Sequence, residues 1–226
     1  MSTKILRFFR NNNFSILKYK RSVNNYSHRG IPVCFQQFLA LLALMLLSPL
    51  IIFVMLLIRI ESTGCAFFAQ TRVGENGRHF KMYKFRSMYL KTDPRYQEQD
   101  PATSARQGVC KKYLNDTRVT KVGHFIRKYS IDEIPQLVNI VIGDMCLVGP
   151  RPALPIETYE YNHDIQMRLY TKPGLTGLWQ VSGRADTNFE QQLQLDKTYI
   201  LHQSFFMDCK IIALTIPAVI SAKGAY

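Results

Sequence analysis

Two adjacent acids, Asp132 and Glu133 in the segment YSIDEIP, are the residues best placed to do chemistry in this chain. Neighbouring residues on a helix point about 100° apart, so the two cannot flank one bond as a matched acid and base. One can attack an electrophile while the other holds a metal. A structural reading competes with this one. Ser130 to Glu133 fits the S-x-x-E capping box, which needs no catalysis. Pro135 weakens that reading. With Ser130 as the cap it would fall at the fifth helical position, where a backbone N–H is wanted. A helix starting at Asp132 puts the proline at the third position. Both readings stay open at this point.

Cations surround the pair in the sequence. Lys84 and Arg86 end an alternating run, and Arg118, Arg127, Lys128, Arg151, Lys172 and Arg184 punctuate turns and helix ends. Several sit beside glycine or proline, as in Gly149-Pro150-Arg151-Pro152, Lys172-Pro173-Gly174 and Gly183-Arg184. Arginine suits bidentate phosphate binding, and rigid turns with bare backbone cradle anions. Singly each is an ordinary surface charge; as a set at turns they favour a phosphate ligand. There is no G-x-x-x-x-G-K-[ST] loop and no G-x-G-x-x-G, so both common nucleotide fingerprints are missing. The five histidines are too dispersed for a zinc motif. Trp179 and the tyrosines read as core residues.

The elements that must position these groups follow from pattern. CAFFAQTRV and HFKMYKF, separated by Gly74-Glu75-Asn76-Gly77, read as a hairpin, because Asn-Gly favours the turn. Residues 91–118 are polar and read as a loop able to cover a site. Val122, Phe125 and Ile126 have helical spacing, as do Ile134, Leu137, Val138 and Val141. MCLVGPRP is an apolar burst ending in a turn, and PGLTGLWQV a turn with a short strand. Helices are expected over Phe189 to His202 and Phe205 to Ser221. The fold class expected is α/β: a compact mixed helix-strand catalytic domain on an N-terminal re-entrant membrane hairpin. Its expected divisions are a basic polar tail (1–35), a membrane helix (36–60) and a cytosolic domain (61–226).

The membrane segment is the most distinctive stretch. From Phe38 to Ile58 every residue is apolar except Ser48 and Pro49, long enough to cross a bilayer core. A signal peptide fits poorly, because the run starts late and lacks a small-residue cleavage site. Both flanks are basic. The first acid of the chain is Glu61, and Arg59, Arg72 and Arg78 follow the run. The positive-inside rule wants both ends on the cytoplasmic side. Pro49 frees the carbonyl of Met45, and the Ser48 hydroxyl can satisfy it. Phe38 to Ser48 is only about 16 Å of helix, half the core. A segment that enters, bends at Ser48-Pro49 and leaves by the same face is the expectation; a plain single span is the alternative.

The chain of 226 residues carries a net charge of +13, which calls for an anionic partner: nucleic acid, anionic lipid or a phosphorylated small molecule. Five scattered cysteines without a C-x-x-C pair fit a reducing compartment.

From about Gln36 onward the chain resembles the bacterial sugar transferase family, the monotopic phosphoglycosyl transferases. The resemblance rests on LSPL, KMYKFRSM, DTRVTKVGHFIRKYSIDEIPQLVNIVIGDMCLVGPRP, KPGLTGLWQVSGR and KGAY. Longer family members carry extra membrane helices ahead of this core, so the chain looks like a minimal catalytic form. The resemblance implies a Mg²⁺-dependent enzyme at the bacterial inner membrane, facing the cytosol. It would move a sugar 1-phosphate, a hexose phosphate by its WQVSGR segment, from a UDP-sugar to undecaprenyl phosphate. UMP would be released, beginning exopolysaccharide or glycan assembly. In that scheme Asp132 is the nucleophile that forms a phosphosugar-aspartyl intermediate. Glu133 shares the metal with it, and Ser48-Pro49 is the membrane break. Arg127 and Arg151 fall on phosphate-binding positions; Lys84, Arg86 and Arg184 join them as candidates. The implied partners are UDP-sugar, undecaprenyl phosphate and the bilayer, without nucleic acid; homo-oligomerisation is left open. Two rival readings remain: a membrane-tethered basic protein that binds nucleic acid or anionic lipid without turnover, and a single-span protein with its domain outside.

Overall fold

The computed structural model describes residues 29–100, 113, 116–161, 165–183 and 189–221. The element that organises it is α1, Val33–Glu61, 29 residues and about 43 Å long. One stripe of α1 is turned inward along its whole length: Gln36, Ala40, Val54 and Ile58 are buried, with Ala43, Leu44, Leu47, Leu50, Ile51 and Met55 packed beside them. That is the i, i+3, i+4, i+7 recurrence of a helix face. The opposite face is equally apolar but exposed, with Phe38, Met45, Leu46, Phe53 and Ile60 each more than half open. A helix that is apolar all round and covered on one side only needs a nonaqueous surface on the other.

Helical structure continues through Pro49. The Ser48 hydroxyl donates to the Met45 carbonyl at 2.8 Å, the acceptor that the proline leaves unpaired. The segment is thus one helix, not two antiparallel arms of a hairpin.

Both ends of α1 are held by the same body. At the start, Gln36 accepts from the Leu147 N–H at 2.6 Å, and the Gln37 amide donates to the Val141 carbonyl at 3.1 Å. Ile31 N–H donates to the buried Asp208 carboxylate at 2.9 Å. At the far end, the Glu61 carboxylate accepts from the N–H groups of Lys121 and Val122 at 2.6 and 2.9 Å. It therefore caps α2, Lys121–Lys128, from outside, while the Thr120 hydroxyl caps it from within.

β1, Phe67–Val73, and β2, His79–Phe85, form the expected antiparallel hairpin, with Phe67 opposite Phe85 and Val73 opposite His79. Asn76 takes the left-handed conformation in the turn, φ 57°. α3, Gln136–Val141, packs on α1 and β2. Its buried Asn139 accepts from Tyr83 N–H at 3.0 Å and donates to the Lys81 carbonyl at 2.7 Å, so a side chain takes the place of a neighbouring strand at the edge of β2.

β3, Cys146–Val148, and β4, Gly174–Thr176, pair in parallel. That brings Gly149-Pro150-Arg151 against Lys172-Pro173-Gly174, with Gly174 N–H donating to the Pro150 carbonyl at 2.9 Å. α4, Leu178–Val181, follows β4 directly. α5, Phe189–His202, begins and ends where the spacing predicts. α6, Phe205–Ile220, keeps Phe206, Ile216 and Ile220 exposed. Tyr199 of α5 is fully buried and donates to Asp208 of α6 at 2.8 Å, which ties the last two helices to the start of α1.

Candidate active site

The segment 130–135 does not form a capping box. Ser130 sits in the left-handed region, φ 54°, and makes no side-chain cap bond. Ile131–Glu133 is a single 3-10 turn, and Pro135 occupies the N-cap of α3, where no N–H is missed. The Ser130 side chain therefore does not cap the turn that carries the acids.

Lys84, at the end of β2, draws the two acids together. Its ammonium lies 2.6 Å from the Glu133 carboxylate and 3.8 Å from that of Asp132. The spacing argument kept the two acids on different faces. A shared cation shows that both side chains reach one point all the same. Asn139 fixes the distance, because it bonds β2 to the helix that follows the acids.

Asp132 is 9% exposed. Burial pushes its carboxyl up to about 6, with Lys84 and Arg127 pulling it back down and Glu133 pushing further up. Arg127, in the last turn of α2, is itself largely buried, which lowers its guanidinium below the ordinary value; Asp132 opposes that. Its Nε donates to the Ser87 hydroxyl at 2.8 Å. A carboxylate kept short of solvation is a strong nucleophile when ionised, and the two cations beside it limit how far burial favours the protonated form.

An open cleft of about 460 Å³ adjoins this cluster, and Lys84, Glu133, Arg151, Trp179 and Gln180 are among the residues that line it. Arg72, Gln136 and Gly174 complete it. The Arg151 guanidinium lies over the Trp179 ring, 5.9 Å from its centre. Arg151 is positioned by the β3–β4 pairing and by the buried Arg168, which donates to its carbonyl at 3.2 Å. Arg168 in turn pairs with the buried Asp196 at 2.8 Å.

Not every expected residue joins the cluster. The buried Arg86 donates to the Thr63 carbonyl and, at 2.8 Å, to the Ser62 carbonyl. It closes the C-terminal end of α1, and it is not among the residues that line the cleft. Arg118 forms a two-bond fork with Asp116 at 2.7 and 2.8 Å. Arg184 lies outside the described residues. Residues that sequence reasoning passed over are Arg72, Gln136 and Gln180. Arg72 is a buried strut from β1 to the Pro152 carbonyl, at 3.0 Å. The single charged residue of an otherwise uncharged strand was the available signal.

Magnesium fits the donors present. Among the described residues no group of three or more His, Cys, Asp or Glu converges. Two adjacent carboxylates do converge, and a cation already bridges them. Mg²⁺ is commonly held by one or two carboxylates with substrate phosphates completing its shell. Asp132 and Glu133 are the residues that would hold it.

A family model described as bacterial sugar transferase matches residues 27–222. The chain is 41% identical over 209 residues to the exopolysaccharide production protein ExoY of Sinorhizobium fredii, covering 91% of each. It is 37% identical to the undecaprenyl-phosphate galactose phosphotransferase of Salmonella typhimurium, over 93% of this chain and 45% of that one. It is 40% identical to the UDP-glucose:undecaprenyl-phosphate glucose-1-phosphate transferase of Xanthomonas campestris, over 83% and 38%. The chain thus spans nearly the whole of ExoY and less than half of the two longer relatives.

Proposed function

The chain belongs to the bacterial sugar transferase family, and we propose that it transfers a hexose 1-phosphate from a UDP-sugar to undecaprenyl phosphate. The product begins an exopolysaccharide or glycan. The observation that carries this reading is the meeting of Asp132, Glu133 and Lys84 beside a cleft walled by Arg151. The names of the Salmonella and Xanthomonas relatives supply the acceptor class, and the Xanthomonas name a UDP-sugar donor.

The chemistry divides into two displacements. An oxygen of Asp132 attacks the phosphorus that bears the sugar. The bond from that phosphorus to UMP breaks, and UMP leaves. The acceptor's phosphate oxygen then attacks the same phosphorus, and the Asp132 carboxylate leaves. Splitting one transfer into two gives ping-pong kinetics. Lys84, Arg127 and Arg151 offset the donor's charge, which would otherwise repel an anionic nucleophile. Bound Mg²⁺ would supply charge neutralisation of the diphosphate.

Replacing Lys84 with Met removes the cation that most favours ionised Asp132. The anion is the active form, so activity rises with pH through the carboxyl's midpoint. The acid limb of kcat/KM is expected to move to higher pH in Lys84→Met, with the plateau down about a hundredfold. An unmoved limb contradicts the assignment.

The acceptor is a lipid, so its phosphate lies at headgroup height. α1 suits a protein seated on one face of the bilayer at the inner membrane, with its domain in the cytosol. Its exposed apolar side enters lipid while its two ends are gripped by one domain. A span with ends on opposite faces would tear one grip or drag polar groups through the core. Cys34 and Cys65 are exposed near the two ends of α1. With other cysteines removed, a membrane-impermeant maleimide is expected to label both from the cytoplasmic side. Labelling from opposite sides eliminates the one-face arrangement. UMP release, assayed over a panel of UDP-sugars with polyprenyl phosphate and Mg²⁺, tests the function; no release from any donor rejects it.

A further inference from the structure

We infer that Lys84 is a displaceable counter-ion: it holds the place of a metal between Asp132 and Glu133, and yields that place to a divalent cation by turning into the cleft toward the donor's phosphates. The inference rests on the reading of the two acids as the pair that would hold Mg²⁺. It adds a second position and a second duty for the lysine.

The starting observation is where the ammonium sits. Its Nζ lies 2.6 Å from Oε1 of Glu133 and 3.8 Å from Oδ2 of Asp132. One cation thus already spans the two carboxylates that a metal held by both acids would span. Mg²⁺ approaches carboxylate oxygens more closely, to about 2.1 Å. A dication beside an ammonium is repelled twice as strongly as a monovalent ion at the same distance. The two cations are therefore competitors for the same anionic charge, and one that gains it excludes the other.

The surroundings let Lys84 leave. Among the described residues its ammonium is paired with these two acids alone. The side chain is partly exposed and lines the open cleft together with Arg151. Its stem is flexible, and its charge is a compact point without a fixed fork. Arg127, the other cation that acts on Asp132, has no such freedom. It is largely buried, and its Nε is held by the Ser87 hydroxyl at 2.8 Å.

The exchange puts charge where each stage requires it. Without metal, Lys84 offsets the repulsion between two adjacent carboxylates. With metal on the acids, the same positive charge becomes available in the cleft, where a lysine binds phosphate as a point charge. An arginine fork engaged with both acids would be slower to give them up.

The experiment uses Mn²⁺ alone as the probe, without nucleotide and at one pH. It titrates the full-length protein in phosphatidylcholine nanodiscs by calorimetry, with empty nanodiscs as the blank and thermal unfolding as the check on folding. Lys84→Met and Lys84→Gln are each expected to bind Mn²⁺ about tenfold more tightly than wild type, since the competent state no longer waits for the lysine to leave. Adding Glu133→Gln to Lys84→Met should remove the gain. Arg151→Met takes one positive charge from the same cleft without touching the acids, and its affinity should stay within about twofold of wild type. Equal or weaker binding in both lysine variants overturns the inference, because the lysine then builds the site. An equal gain in Arg151→Met overturns it too, because the effect is then the general field of the cleft. Absence of Mn²⁺ binding from every variant does the same. UMP release by the wild-type preparation keeps the two readings apart. Release with unchanged Mn²⁺ affinities removes the exchange alone; tighter binding in the lysine variants without release from any donor supports the exchange and removes the transferase.

Discussion

Asp132→Asn is expected to lower turnover by at least about a thousandfold while the protein stays folded. The amide has the shape of the carboxyl but cannot form the phosphosugar ester. Nothing else in the cluster replaces it. Glu133 is held at 2.6 Å by Lys84, and the next residues, Ile134 and Pro135, carry no nucleophile. Stability should not suffer. Burial raises the Asp132 carboxyl to about 6, so the fold disfavours the charge that the substitution removes. UMP release and thermal unfolding, measured on the same preparation, separate the two effects. Residual activity above about a tenth of wild type would transfer the nucleophile's role to another group.

Gly174→Ala is expected to destabilise the protein by about 3 kcal/mol or more and to abolish activity with it. A methyl group at Gly174 would run into the backbone nitrogen of Gly149 and the carbonyl of Thr176. Both obstacles are main chain in the β3–β4 pair, so neither can swing away. That pair carries Arg151 to the cleft. Gly77→Ala is the useful contrast. Gly77 has φ 75° but open space around it, so only backbone strain is at stake, about 1 kcal/mol. Chemical unfolding of both variants in detergent measures the difference. Equal stability of the two would mean that β3 and β4 do not approach closely.

The hairpin was legible because its turn chemistry and strand alternation agree, and α5 because its fourteen residues are bounded by clear breaks. The apolar run at 38–58 was legible as a helix long and apolar enough for a membrane, but its extent was not. The helix begins at Val33, three residues ahead of the expected start at 36, and its Gln36 and Gln37 are polar residues outside the apolar run. They belong because each bonds a backbone group far away in sequence. The bend expected at Ser48-Pro49 does not end the helix, because the Ser48 hydroxyl takes up the freed carbonyl locally.

Asp132 and Glu133 stood out by type and by their family resemblance, yet spacing alone kept them apart. Their meeting depends on a 3-10 turn and on Lys84, forty-nine positions before Glu133. Arg86 was grouped with Lys84 for a related reason. It lies two residues from Lys84 on the same stretch, and the sequence does not disclose that one faces the acids and the other the end of α1. Trp179 read as core because its burial is what a tryptophan usually seeks. That it also lines the cleft is a three-dimensional fact.

The most direct test of the covalent scheme leaves out the lipid. Labelled UMP is incubated with UDP-sugar, Mg²⁺ and the protein, without polyprenyl phosphate, and label is followed into the nucleotide sugar. Formation and reversal of an Asp132 adduct predict exchange in the wild type and none in Asp132→Asn. A wild-type protein that turns over with the lipid present, yet exchanges no label without it, would contradict the two-step account.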